Sequence, residues 1–155
     1  MARYAGAGTC LSVSAGVPAT HDSAGFLALS WTQVGELESI GEIKIMHASV
    51  TFANLCTGKT SVTKGAEEAI NTNIVVALDR DDAGQALMTT ARKSLTALYS
   101  FKILESNGDI SYFRAYVMGE VIAGGAGVND TKKGGYDLGI SAPATGDTVV
   151  VVNAV

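Results

Sequence analysis

The segment Leu78-Asp79-Arg80-Asp81-Asp82-Ala83-Gly84-Gln85-Ala86-Leu87 constrains the fold of this chain more than any other. An unbroken apolar run of strand length, Ile74-Val75-Val76-Ala77-Leu78, leads into it. Asp82, followed three residues later by Gln85, reads as a capping box that opens a helix, and Asp79 and Asp81 are well placed against the helix dipole. Leu87, Met88, Ala91, Leu95 and Leu98 then recur at helical spacing, which predicts a flanking α-helix over about 82–97. No other segment carries a helical pattern of this quality, so the rest of the chain has to be built mostly from strands.

Those strands can be placed from alternation and turn residues. Thr9 to Ser14 alternates as a first strand, and Gly16 to Gly25, with Pro18, Asp22 and Ser23, reads as a loop. Leu27 to Val34 predicts a second strand with Leu29 and Trp31 on one face and Ser30 and Thr32 on the other. Glu36 to Met46 continues the alternation across Gly41: Glu36 and Glu38 share a face, and beyond the glycine Ile43 and Ile45 oppose Glu42 and Lys44. Residues 48–66 read as a long protruding hairpin or loop, with Val50, Phe52 and Leu55 on one arm, Cys56-Thr57-Gly58-Lys59 at the turn and Thr60 to Thr63 returning. After the helix, Asn107-Gly108 between two strand patterns is a strong hairpin signal. As a two-residue turn it sets Ile103 opposite Tyr112 and Tyr99 opposite Tyr116. Gly124 to Gly135 reads as a loop, Tyr136 to Ser141 as a strand with Tyr136, Leu138 and Ile140 inward, and Asp147 to Val152 as a β-branched final strand. The sum is a mainly β fold, a two-sheet antiparallel sandwich or open barrel with one flanking helix. At 155 residues it is expected to form a single domain over 1–155, with the small, glycine-rich residues 1–8 as an N-terminal arm.

Composition bears on partners. Hydrophobic residues make up 47% and charged residues 17%, with 18 glycines, which suits a subunit whose surface is partly covered by neighbours. The net charge of −4 and scattered lysines and arginines argue against tight gripping of a nucleic-acid backbone, while an acidic surface that DNA passes without sticking stays compatible. No apolar stretch reaches membrane-spanning length and the N-terminus lacks a signal-peptide core, so no membrane insertion and synthesis in the cytoplasm are expected. Cys10 and Cys56 are too few for a disulfide framework and too far apart for metal-ligand spacing.

Candidate chemistry fails on its physical requirements. Gly58-Lys59-Thr60 lacks the upstream glycine of a phosphate loop, having Ala53 there, and is followed by strand formers. His21-Asp22-Ser23 has the residue types of a hydrolase triad, but triad members meet through the fold and not as consecutive residues. His47 has no second ligand at metal spacing, and Asp79, Asp81 and Asp82 lack the pattern of a calcium loop. Neither Gly6-Ala7-Gly8 nor Gly124-Gly125-Ala126-Gly127 follows a strand and opens a helix, so neither is a dinucleotide fingerprint. No enzyme, cofactor or metal site is expected.

An ordered set of segments resembles the tail tube (major tail) proteins of long-tailed bacteriophages. These are Gly8-Thr9-Cys10-Leu11-Ser12-Val13, Trp31-Thr32-Gln33-Val34-Gly35-Glu36, Ile40-Gly41-Glu42, the Leu78 to Leu87 junction, Tyr99-Ser100-Phe101-Lys102 and the closing β-rich stretch. The resemblance implies a structural subunit that forms stacked hexameric rings, a tube that conducts double-stranded DNA into the host cell without binding it specifically. It implies a place in the virion tail, assembly in the host cytoplasm, and tape measure, terminator and tail-tip proteins as further partners. By position it puts inter-subunit and inter-ring contacts on Tyr4 of the arm and on Val50, Phe52, Leu55, Cys56 and Lys59 of the hairpin. Glu36, Glu38 and Glu42 become candidate lumen-facing carboxylates that keep DNA mobile. Two other readings stand beside it: a monomeric β-sandwich that binds a small ligand, and a tube subunit of a related secretion or contractile injection machine.

Overall fold

The computed structural model describes residues 3–154. Among them the elements run β1 (Cys10–Ser14), α1 (Ser23–Leu27), β2 (Thr32–Gln33), β3 (Leu37–Ile40), β4 (Ile45–Ala53), β5 (Thr60–Ala69), β6 (Thr72–Ala77), α2 (Ala83–Lys93), β7 (Tyr99–Leu104), β8 (Ile110–Val121), β9 (Lys133–Ile140) and β10 (Val150–Val152). Strands pair antiparallel in the order β2-β1-β7-β8-β9-β6-β3, with β10 also on β8, and β4 and β5 form a separate two-stranded sheet. The 12-residue β8 joins two halves of the large sheet. Its first part pairs with β7 and β10, and its last part, from Ala115 onward, pairs with β9. A register shift between Val117 and Gly119 marks a bulge where a strand can bend.

The core draws on both halves. Leu11, Val13, Phe101 and Phe113 come from β1, β7 and β8; Ile74, Val76, Tyr136 and Leu138 come from β6 and β9; Met88 and Ala91 close it from α2. Phe101 and Phe113 face each other across the β7–β8 ladder with stacked rings 5.4 Å apart. The fold is therefore mainly β and sandwich-like, with a flanking helix and a projecting hairpin. Tyr136 and Leu138 point inward as their alternation predicts.

The junction forms much as its residues require. Asp82 is the N-cap of α2, and its side chain accepts the Gln85 N–H at 2.9 Å. The reciprocal half of the capping box is replaced by a wider set of bonds. Gln85, 2% exposed, accepts the Asp79 N–H at 3.1 Å and donates to the carbonyls of Gly35 at 3.1 Å and Ala77 at 3.0 Å. One buried amide thus joins the helix start to the end of β6 and to the β2–β3 connection. Gly84 lets the helix come this close: a Cβ there would lie 2.4 Å from the Gln33 carbonyl oxygen and 2.6 Å from Val34 Cα.

Besides shifted ends, with β9 starting at Lys133 inside the expected loop and the final strand reduced to Val150–Val152, four expectations change. α2 stops at Lys93 rather than near residue 97, because Ser94 leaves helical geometry and its hydroxyl accepts the Ala97 N–H. Leu95, counted toward the apolar stripe, is 95% exposed. The expected strand from Leu27 to Val34 shrinks to β2, and the short α1 precedes it. Phe26 explains this: fully buried, its ring stacks on Tyr112 at 5.1 Å while Trp31 Nε1 donates to the Phe26 carbonyl.

The β7–β8 turn is the third change. It uses three residues, Ser106 to Gly108, with Gly108 at φ +94° and its N–H bonded to the Glu105 carbonyl. This is the geometry of a turn closed by a glycine bulge. The register moves by one residue, so Tyr112 pairs with Lys102 and Tyr99 with Ala115, not with Ile103 and Tyr116 as partners.

Finally, the long strand over Glu36 to Met46 is broken. β3 ends at Ile40, and Gly41, whose N–H donates to the Asn73 carbonyl, has space for no side chain beside Thr72 and Asn73. Of the expected arm, Arg3 to Gly8 is exposed and fastened by the Ser106 hydroxyl donating to the Ala5 carbonyl, whereas Met1 and Ala2 lie outside the described residues.

Candidate functional site

The β4–β5 hairpin departs most from the rest of the molecule. Alternating side chains along β4 put Met46, Ala48, Val50 and Phe52 on one face, opposite Glu68, Thr63 and Ser61 of β5. The other face carries His47, Thr51 and Val62. Every residue of β4 is exposed, and no residue of 45–69 belongs to the core cluster. An isolated two-stranded hairpin is marginal in water. This one shows apolar side chains on both faces and two unpaired edges, the arrangement natural sheets avoid unless something covers it.

The tip is locally well ordered. Asn54 Oδ1 accepts the N–H groups of Cys56 and Thr57, the Gly58 N–H returns to the Asn54 carbonyl, and Gly58 takes φ +67°. This turn lifts Leu55 to 99% exposure and leaves Cys56 and Lys59 exposed beside it. The structure thus brings five of the expected contact residues, Val50, Phe52, Leu55, Cys56 and Lys59, onto one projecting element.

The sixth, Tyr4, lies elsewhere. It lines a groove of about 690 Å³ at the base of the hairpin, with Ile40, Ile43, Ile45, Ile103 and Val151 among its walls. Glu105 stands on its rim. No local pattern in the sequence records this groove, because its walls come from four distant segments. The nearest signals were the Ile43/Ile45 alternation and the uncharged run Val149 to Val152.

The three candidate lumen carboxylates are all exposed but do not form the common strand face inferred from their spacing. Glu36 precedes β3 in left-handed backbone at φ 55°, Glu38 lies on β3 at a bulge and pairs with Lys133 at 3.0 Å, and Glu42 follows the break at Gly41.

The residues tested for chemistry have structural partners. Asp22 caps α1 by accepting the Gly25 N–H at 2.7 Å, and this bond, helped by the Thr20 hydroxyl, holds its carboxyl below the usual aspartate range. The ring of its neighbour His21 packs edge-on to Phe26, and Nε2 meets the Asp147 carbonyl at 2.7 Å. His47 Nδ1 lies 3.3 Å from the Gly65 carbonyl. Among the described residues no three His, Cys, Asp or Glu side chains gather as a metal site, and no helix is long and apolar enough to cross a membrane.

No family model matches the sequence, and no curated protein matches it closely. Its fold, however, is shared with solved structures over nearly its whole length. A chain of the PVC extracellular contractile injection system, from its sheath/tube terminator in the extended state, aligns at TM-score 0.63 and 10% identity over 99% of both chains. A chain of the anti-feeding prophage tube terminating cap aligns at 0.59 and 13% identity, over 99% of this chain and 95% of that one. The SPP1 tail tube protein aligns at 0.60 and 12% identity, over 94% of this chain and 78% of that one. At these identities the likeness establishes a common fold.

Proposed function

We propose that this chain is a structural tube subunit: it assembles into hexameric rings that stack into a tail tube, the conduit for double-stranded DNA. The observation that carries this reading is the β4–β5 hairpin, exposed on both faces and attached to a fold held in common with the SPP1 tail tube protein. A hairpin that adds nothing to its own core has a physical reason to persist if a neighbouring copy covers it. On this reading the subunit resides in the virion tail after assembly in the host cytoplasm, meets tape measure, terminator and tail-tip proteins, and has no catalytic role. Residues 1–8 act as an arm on the single domain and Tyr4 joins the contact surface. The carboxylates of Glu36, Glu38 and Glu42 face the lumen, where acidic charge keeps a polyanion from adhering.

Negative-stain microscopy of the purified chain tests this directly, with rings or tubes expected and a monomer at every concentration excluding it. Deleting residues 50–62 should leave a folded subunit that does not polymerise; long tubes from the deletion variant would remove the hairpin's role. A map of the tube with the three glutamates on its outer wall would refute their assignment. The likeness to the PVC and anti-feeding prophage chains favours one second reading, a tube subunit of a contractile injection machine, which shares the ring architecture but not the phage setting. The nucleic acid content of purified particles separates the two.

A further inference from the structure

The hairpin tip and the groove lie at opposite ends of one element. Ile45, the first residue of β4, lines the groove, and Leu55 stands beyond its last residue. Nine strand residues at ~3.4 Å each put them about 30 Å apart. The tip offers Leu55 at 99% exposure with Phe52 at 65% below it. The groove, about 690 Å³ and open to solvent, has Ile40, Ile43, Ile45, Ile103, Val149 and Val151 among its walls, an apolar strip that an exposed apolar side chain could cover. One wall is β10, which pairs only with β8 among the described strands and consists of three valines. Its three-residue length limits the free edge it offers, and Val151 gives the groove an apolar side.

Charge points the same way. Residues 49–66 include Lys59 and Lys64 and no carboxylate, so the outer half of the hairpin is basic on an otherwise acidic chain. Glu105 on the groove rim is exposed, and neither it nor Lys59 forms an ion pair among the described residues.

We infer that the hairpin tip of one copy docks in the groove of a second copy, with Leu55 and Phe52 against the isoleucine and valine walls and Lys59 paired with Glu105. This rests on the self-assembling reading above and identifies the receiving surface. Donor and acceptor are different patches, so a copy that engages one neighbour through its tip and another through its groove extends the contact into rings or filaments, which a ladder distinguishes from a reciprocal dimer.

Cys56, next to Leu55, makes the contact testable. In a Cys10→Ser background, Val151→Cys adds a thiol to the groove wall. Mild oxidation of the assembled protein should then give a ladder at multiples of 15.9 kDa on non-reducing gels, which a reductant collapses. The ladder should vanish with Cys56→Ser and should not form when the added cysteine is at Val128, fully exposed but outside the groove. Independently, Glu105→Lys should lower the yield of sedimentable polymer at least tenfold, and adding Lys59→Glu should restore most of it. Tubes that form normally without this disulfide ladder, and that ignore the charge reversals, would overturn this docking while leaving the tube subunit intact. A chain that stays monomeric throughout would remove both.

Discussion

Gly35 donates its backbone N–H to Asp82 Oδ2 at 3.0 Å, and the same oxygen accepts the Gln85 N–H at 2.9 Å. One carboxylate therefore caps α2 and holds the β2–β3 connection, 47 residues away in the chain, against the helix start. Removing an N-cap costs about 1 kcal/mol, and losing a hydrogen bond to a charged group about 1.5–3 kcal/mol. Asp82→Ala should lower stability by about 2–4 kcal/mol in urea unfolding, and Asp82→Asn, which keeps an acceptor oxygen, by less. A loss under about 1 kcal/mol in the alanine variant would show that the Gly35 bond contributes nothing.

Gly84 gives a prediction of opposite sign to helix propensity. Alanine is better than glycine in a helix by about 1 kcal/mol. Here the added methyl meets the Gln33 carbonyl and Val34 Cα, backbone atoms that cannot swing aside. Gly84→Ala should therefore destabilise by about 1–3 kcal/mol, as overpacking does. Gly6→Ala, with open space around its new Cβ, serves as a control within about 0.5 kcal/mol of the parent. A Gly84→Ala protein with unchanged thermal midpoint would mean that α2 shifts outward freely.

Asp109 links acidity to the end of the chain. Its Oδ1 accepts the Ala154 N–H at 2.7 Å and its Oδ2 the Asn107 amide at 2.7 Å; these bonds, the first above all, hold its carboxyl below the ordinary aspartate value of 3.8. A depressed folded value means that the stabilisation is present above the unfolded value and is lost as pH falls through the folded one. Amide exchange in Val150–Val152, adjusted for its intrinsic pH dependence, should accelerate as pH falls below about 4. In Asp109→Asn it should already be faster at neutral pH. Exchange unchanged in both experiments would separate Asp109 from β10.

The hairpin should be the least protected regular structure in the free subunit. Amides of β4 and β5 should exchange by local opening far faster than those of β7 and β8 and, on the tube-subunit reading, slow by at least tenfold in the assembled form. Strong protection in the monomer would show that the hairpin needs no neighbour.

The legible parts of the fold were those set by local chemistry. Asp82 and Gln85 mark the start of α2 because a cap is a side chain reaching its own backbone a turn away. The alternation around Val50 and Phe52 likewise gave the projecting hairpin, though its base extends to Ile45 and Ala69. What remained hidden depends on contacts between distant segments. Five-residue α1 exists because Phe26 stacks on Tyr112, which no local pattern records. The Asn107-Gly108 signal found the turn but not its third residue, and that single residue changed every pairing between β7 and β8. The groove combines Tyr4, Ile43, Ile103 and Val151, and only the folded chain brings them together.

Because no residue between 45 and 69 enters the core, the molecule keeps what makes it fold apart from what it shows to others. A substitution at the tip spares the packing of Phe101, Phe113 and Leu138. If the tip docks on a second copy as inferred above, donor and receptor change together, because one gene encodes both, while the scaffold beneath them is left as it is.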